Sequence, residues 1–153
     1  EYPVAIKVPG GSMISTGVPV TKDFSKLDTY EITKKGSRVA ILGLGTFYET
    51  AVKAANILKT SHGIDATVIN PYYISGIDAD TLNELKKDHA VVATLEDGYL
   101  EGGFGAKIAA YYGSSDMNFG IKKEFIDRYD ASEVLKDNHL TPEQIAEDIA
   151  ATL

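Results

Sequence analysis

Three carboxylates and four glycines crowd into ten consecutive residues in the second half of this chain: Glu96-Asp97-Gly98-Tyr99-Leu100-Glu101-Gly102-Gly103-Phe104-Gly105. Paired carboxylates bind cations or act as general acid and base, while acidic residues just ahead of a helix also suit its dipole. No histidine or basic side chain stands in the run to complete an acid–base pair. It therefore reads as a contact surface for another domain or subunit, with Glu96, Asp97, Gly102, Gly103 and Gly105 as its interface residues. A second segment, Gly43-Leu44-Gly45-Thr46, lies between an apolar run and a helical pattern. Free N–H groups at such a helix start can hold a phosphate or carboxylate, so Gly43, Gly45 and Thr46 form a candidate anion-binding turn. The segment lacks the third glycine of a dinucleotide fingerprint and the Gly-Lys-Ser/Thr ending of a P-loop. Glycines serving a tight strand-to-helix turn are the favoured reading.

Other chemistries find less support. His62, His89 and His139 have no metal-motif spacing, and no nucleophile elbow or triad pattern is present. With no cysteine in the chain, disulfides, thiolate metal sites and thiol nucleophiles are excluded, which fits a cytoplasmic protein. No metal site is expected. The nine tyrosines combine apolar area with a polar tip, a combination enriched at interfaces.

The elements that must position these segments alternate strand and helix. Arg38-Val39-Ala40-Ile41-Leu42 is almost continuously apolar, as a strand covered on both faces should be. Thr29 to Thr33 precedes it across Lys34-Lys35-Gly36-Ser37, a spacing that predicts a hairpin. Thr46 and Glu49 have capping-box spacing. Phe47, Ala51, Ala54, Ala55 and Leu58 then share one helical face, and Gly63 suits a left-handed stop. Ala66 to Ile69 and Ala90 to Leu95 are two further buried strands. Between them Asp78 caps a helix whose Leu82 and Leu85 face inward. A helix follows from about Phe104 to Tyr112, and alternation over Phe119, Ile121, Lys123 and Phe125 suggests a last strand. Asp130 caps a short helix through Leu135. Thr141, Pro142 and Gln144 open the final helix, with Ile145, Ile149 and Leu153 as its stripe. The pattern predicts a three-layer α/β domain: a mainly parallel twisted sheet with helices on both faces and one edge strand antiparallel.

A chain of 153 residues with 44% hydrophobic and 24% charged residues fits one globular domain. Its net charge of −7 argues against nucleic acid, which calls for clustered Lys and Arg. No apolar run reaches the ~20 residues of a membrane helix. Residues 1–8, with the strand-like Pro3-Val4-Ala5-Ile6-Lys7-Val8, read as the tail of a preceding domain. Residues 9–28, with their Gly and Pro, read as a linker, and 29–153 as the domain proper.

Four stretches together carry a resemblance. Thr94-Leu95-Glu96-Asp97-Gly98 with Gly102-Gly103-Phe104-Gly105 resembles the acidic, glycine-rich segment in the C-terminal domain of transketolase-family enzymes, and of the 1-deoxy-D-xylulose-5-phosphate synthase family above all. Lys7-Val8-Pro9-Gly10-Gly11 resembles the Arg-Tyr-Pro-Arg-Gly that ends that family's pyrimidine-binding domain. Arg38 to Thr46 is similar to its first strand and turn, and Tyr72 to Asp78 to its Arg-Phe-Ile-Lys-Pro-Leu-Asp. The resemblance implies a parent enzyme that transfers a two-carbon unit from pyruvate to glyceraldehyde 3-phosphate. Thiamine diphosphate and Mg²⁺ would lie in upstream domains of the same protein, none is expected in this chain alone, and a homodimer is implied. The C-terminal domain would support the dimer and the active-site walls without being catalytic. Lys7, at a family arginine, is the one residue the resemblance places near substrate. Gly10, Tyr72 and Ser75 stand at family cations and Gly76 at a family proline, which points to a divergent paralogue with another acceptor or little activity. The alternative is a stand-alone interaction or regulatory module that uses the same fold.

Overall fold

The structure is a computed structural model describing residues 3–6, 8, 25, 28–113 and 117–153. Ten elements follow in order: β1 (Glu31–Lys34), β2 (Arg38–Gly43), α1 (Phe47–His62), β3 (Thr67–Asn70), α2 (Ala79–Asp88), β4 (His89–Tyr99), α3 (Phe104–Tyr112), β5 (Met117–Ile121), α4 (Ala131–Asp137) and α5 (Pro142–Ala150). They build one five-stranded sheet in the order β1-β3-β2-β4-β5. β2, β3, β4 and β5 are parallel, and β1 closes one edge antiparallel to β3.

The two-residue period of β2 divides the core. Val39 and Ile41 face one side, where α1 and α5 contribute Ala54, Leu58, Ile145 and Ile149. Ala40 and Leu42 face the other, against Leu82 and Leu85 of α2 and Phe104 and Ile108 of α3. A strand buried on both faces has no polar face to alternate with, hence its unbroken apolar run. The helical face Phe47, Ala51, Ala54, Ala55 and Leu58 is buried as its spacing predicts, and Gly63 stops α1 at φ 68°. Asp78, Asp130 and Thr141 each cap the expected helix with a side-chain oxygen. Among the described residues no helix is long and apolar enough to cross a membrane.

Several expectations are corrected. β1 and β2 do not form a hairpin: β2 lies between β3 and β4, and β1 pairs with β3. β1 exposes Glu31, Ile32 and Thr33 and suits an edge, whereas β2 needs a neighbour on both sides. Gly36 is required by close approach, since its N–H donates to Thr67 Oγ1 at 3.0 Å and a Cβ there would collide with the Asp65 carbonyl. Thr46 adopts helical angles and makes no side-chain cap, so the Thr46–Glu49 box does not form. β5 ends at Ile121, well before Phe125. α5 ends at Ala150 and Leu153 is exposed beyond it, outside the buried stripe. Pro3 to Ile6 and Val8 belong to no strand and lie exposed. Lys7, Gly10 and most of the 9–28 segment lie outside the described residues.

Candidate functional site at the carboxyl end of the sheet

Four parallel strands deliver their following loops to one end of the sheet, the place where open α/β sheets bind ligands. The acidic, glycine-rich run forms the end of β4 and the turn into α3. Glu96 is only 4% exposed. Its two carboxylate oxygens accept from the backbone N–H groups of Phe104 (2.9 Å) and Gly105 (2.8 Å). The residue before α3, Gly103, has no side chain to cap with, so Glu96 satisfies the free donors of that helix from across the turn.

The glycines make room for this carboxylate. A Cβ on Gly103 would sit 2.5 Å from Glu96 Oε1 and from the Tyr99 carbonyl, and one on Gly98 would sit 3.0 Å from Glu96 Oε2. A Cβ on Gly105 would strike Thr94 Oγ1, whose hydroxyl donates to Asn118 Oδ1 at 2.7 Å. Gly102 turns the chain at φ 78°, a conformation that favours glycine. Asp97 and Glu101 are exposed. The three carboxylates are therefore not convergent: one is buried as a helix cap and two face outward.

The Gly43–Thr46 turn is also held internally. Leu44 N–H donates to the Leu95 carbonyl at 2.9 Å, which stitches the chain just past the end of β2 to β4, where strand order reverses. The N–H groups of Phe47 and Tyr48 donate to Leu44 O and Gly45 O, so two donors of this helix start are already used. Gly45 takes φ 58°, and Gly43 lies against the Phe47 and Tyr48 backbone with no space for a Cβ.

Behind these turns lies a polar brace that the sequence only half discloses. Asp78 caps α2 through Thr81 N–H (3.0 Å) and also accepts from Tyr30 N–H (2.8 Å), tying β1 to α2. Burial alone would raise its pKa, but hydrogen bonds from Thr81, Tyr30 and Asp80 outweigh burial and hold the carboxyl below its ordinary value. The Tyr72 hydroxyl donates to the Glu31 carboxylate, a bond that, with burial and the adjacent negative charge, pushes the phenol up to about 12. Lys107 on α3 donates to the carbonyls of Ile74 (2.6 Å) and Ser75 (3.4 Å) and so fixes the loop after β3. Nothing in the spacing of Lys107 signals this role, because the partners are main-chain oxygens 32 and 33 residues away.

The histidines are structural neighbours of α5 and β3. His62 and His139 lie 3.2 Å from Glu147 and 2.8 Å from Asp148, and His89 bridges Thr67 Oγ1 and the Leu85 carbonyl. His139 occupies the left-handed residue after α4 (φ 57°), with Leu140 N–H closing back on the Leu135 carbonyl. A cavity of about 270 Å³ lies nearby, between β5 and the α4–α5 turn, lined by Leu100, Phe119, Lys122, Asn138, His139 and Asp148 among others. Among the described residues no group of three or more His, Asp or Glu side chains is placed to hold a metal ion.

The alternating elements, the two-sided core and the glycine-packed turn after β4 define an α/β domain of the transketolase kind. The chain belongs to the transketolase C-terminal domain family, whose model, "Transketolase, C-terminal domain", matches residues 28–145. Curated relatives that it matches include 1-deoxy-D-xylulose-5-phosphate synthases. It is 33% identical to that of Gloeothece citriformis over 97% of this chain and 24% of the relative. It is 32% identical to that of Symbiobacterium thermophilum over 100% of this chain and 24% of the relative. The chain thus spans about a quarter of the length of the relatives it matches. Among solved structures it is similar to a chain described as a split-gene transketolase in an inactive β4 tetramer, with TM-score 0.73 and 24% identity over 86% of this chain and 44% of that one. A Pichia stipitis transketolase matches with TM-score 0.59 and 23% identity over 84% of this chain and 18% of that one.

Proposed function

We propose that the chain is the C-terminal, dimer- and active-site-supporting part of a thiamine-diphosphate-dependent enzyme of the 1-deoxy-D-xylulose-5-phosphate synthase kind, and that it does not turn over alone. The observation that carries this reading is the use made of Glu96. The acidic residue at the centre of the family-like segment is buried as the cap of α3, which suits a scaffold better than proton transfer. The family match over 28–145 supports a domain beginning near residue 29. Residues 9–28 would then be a linker, and 1–8 the tail of a pyrimidine-binding domain. In the parent, a homodimer in the cytoplasm, thiamine diphosphate and Mg²⁺ are held upstream and the cofactor supplies the carbanion chemistry. Pyruvate is the two-carbon donor. Lys7 is the residue nearest substrate, and with Gly10, Tyr72 and Ser75 at family cations the acceptor differs from glyceraldehyde 3-phosphate or is used poorly. Asp97, Gly102 and Gly103 belong to the surface that meets the rest of the protein, whereas Glu96 and Gly105, expected there too, are buried and shape the turn beneath it.

The test is calorimetric titration of thiamine diphosphate with Mg²⁺ into the 153-residue chain and into the full product of its gene. Binding by the longer product alone is expected. Binding by the short chain would put the cofactor site in this domain, and binding by neither would sink the enzymatic assignment.

A further inference from the structure

Strand β5 has a neighbouring strand on one side only, and its free edge runs along the cavity beside it. The carbonyl of Ile121 accepts from Leu100 N–H at 3.0 Å, on the side of β4. Backbone groups of successive strand residues point to opposite sides, so those of Gly120 and Lys122 point away from β4. Lys122 N–H accordingly donates outward to Asn138 Oδ1 at 3.0 Å. Gly120 turns its own N–H and carbonyl to the same outer side, where it lines the cavity of about 270 Å³. Neither group has a hydrogen-bond partner there among the described residues. Phe119 and Leu100 give the cavity an apolar wall, and the His139 ring, held by Asp148 at 2.8 Å, lines it too.

Two charges on this cavity lack a counter-charge. Lys122 and Asp137 both line it, yet among the described residues neither forms an ion pair, with the other or with any third group. Asp137 is also the last residue of α4, where the helix dipole favours a cation and disfavours a carboxylate. The cavity thus offers an ammonium and a peptide N–H to an anion, and a carboxylate and a peptide carbonyl to a cationic donor. Its volume falls just below the roughly 300–1,000 Å³ of drug-sized sites, room for one small metabolite and too little for a nucleotide or a peptide strand. From these juxtapositions we infer that the cavity between β5 and the α4–α5 turn binds a free α-amino acid with an apolar side chain. The ligand's carboxylate meets Lys122 and the Gly120 N–H, its ammonium meets Asp137 and the Gly120 carbonyl, and its side chain lies on Phe119 and Leu100. The two bonds to Gly120 are those that opposed residues exchange in an antiparallel ladder, closed here by a single amino acid. The inference uses only this domain's own residues and does not depend on the function proposed above.

The experiment is an amide chemical-shift titration of the 153-residue chain with three probes: leucine, isoamylamine, which lacks the carboxylate, and isocaproate, which lacks the ammonium. Leucine should give saturable shifts centred on Gly120, Lys122 and Asn138, and should bind roughly tenfold or more tightly than either fragment. Lys122→Met should weaken leucine roughly tenfold and erase its advantage over isoamylamine. Asp137→Asn should weaken it to a similar degree and erase its advantage over isocaproate. Lys123→Met, which removes a neighbouring cation outside the cavity, should leave binding unchanged. Calorimetry on the full product of the gene should repeat the ranking. No saturable response to millimolar leucine in either protein, shifts centred elsewhere, equal binding of the fragments, or full leucine binding by both cavity variants would each overturn the inference. None of these outcomes bears on the thiamine diphosphate titration, so the proposed function stands or falls separately.

Discussion

At the residue scale Glu96 is the position where substitution tells most. Glu96→Ala leaves the N–H groups of Phe104 and Gly105 buried without acceptors, a loss worth about 2–4 kcal/mol for a pair of charge-assisted bonds. Gly103→Ala forces a methyl against the same carboxylate and should cost about 1–3 kcal/mol by overpacking. Urea unfolding of each single variant checks both figures, and a stability change under about 0.5 kcal/mol for Glu96→Ala would refute the cap. Asp78 makes a pH prediction. Its folded pKa is lowered, so its stabilisation is present above the ordinary carboxylate value of about 3.9 and is lost as pH falls through the depressed value. Asp78→Asn should therefore shallow the fall in melting temperature below about pH 4. Asp65, lowered by Lys34 and Lys59, and Asp130, lowered by Ser132 and Glu133, keep part of the slope. The sequence marked Glu96 by composition and Asp78 as a cap. It hid their long-range halves, because the bonds of Glu96 to Phe104 and Gly105 and of Asp78 to Tyr30 depend on tertiary approach.

At the element scale two threonines that look alike in sequence behave differently. Thr141 accepts from Gln144 N–H at 3.3 Å, and Gln144 Nε2 goes on to the Lys136 carbonyl at 2.9 Å, joining α4 to α5. Thr46 is already inside helical angles and caps nothing. Thr141→Ala should lower stability by about 1 kcal/mol and Thr46→Ala by a few tenths at most; equal effects in thermal melts would contradict the assignment. Legibility follows the range of the interaction. Helix faces, the left-handed stop at Gly63 and three of the caps were readable because they are set within four residues. The pairing of β1 with β3 was not, because Lys34 to Ser37 has the composition of a hairpin turn while the pairing is decided by which strand must be covered on both edges. The 11-residue length of β4 was likewise hidden, since Glu96 to Tyr99 continue the strand with turn-like residues that the capped α3 holds in place.

At the scale of the whole molecule the sheet has two distinct ends. The amino end closes with ion pairs and tight turns: Asp65 meets both Lys34 and Lys59. Such exposed pairs add little stability, and solvating that end is their more evident effect. The carboxyl end exposes Tyr72, Ile74, Tyr99, Phe125 and Tyr129. The cofactor titration belongs to this scale too, since it compares this chain with the full product of its gene. Neither end was visible as an end in the sequence, where Tyr72, Tyr99 and Phe125 are scattered over more than fifty residues; the parallel register gathers them.

The last helix has a consequence for synthesis. Ile145, Ala146 and Ile149 of α5 are fully buried in the same core as Ala51, Ala54 and Leu58 of α1. A ribosome must therefore release α5 before that core can shut, leaving one face of α1 uncovered in the nascent chain until then. Any domain upstream would have finished its own folding by that time, and would be present as a formed surface when this one closes.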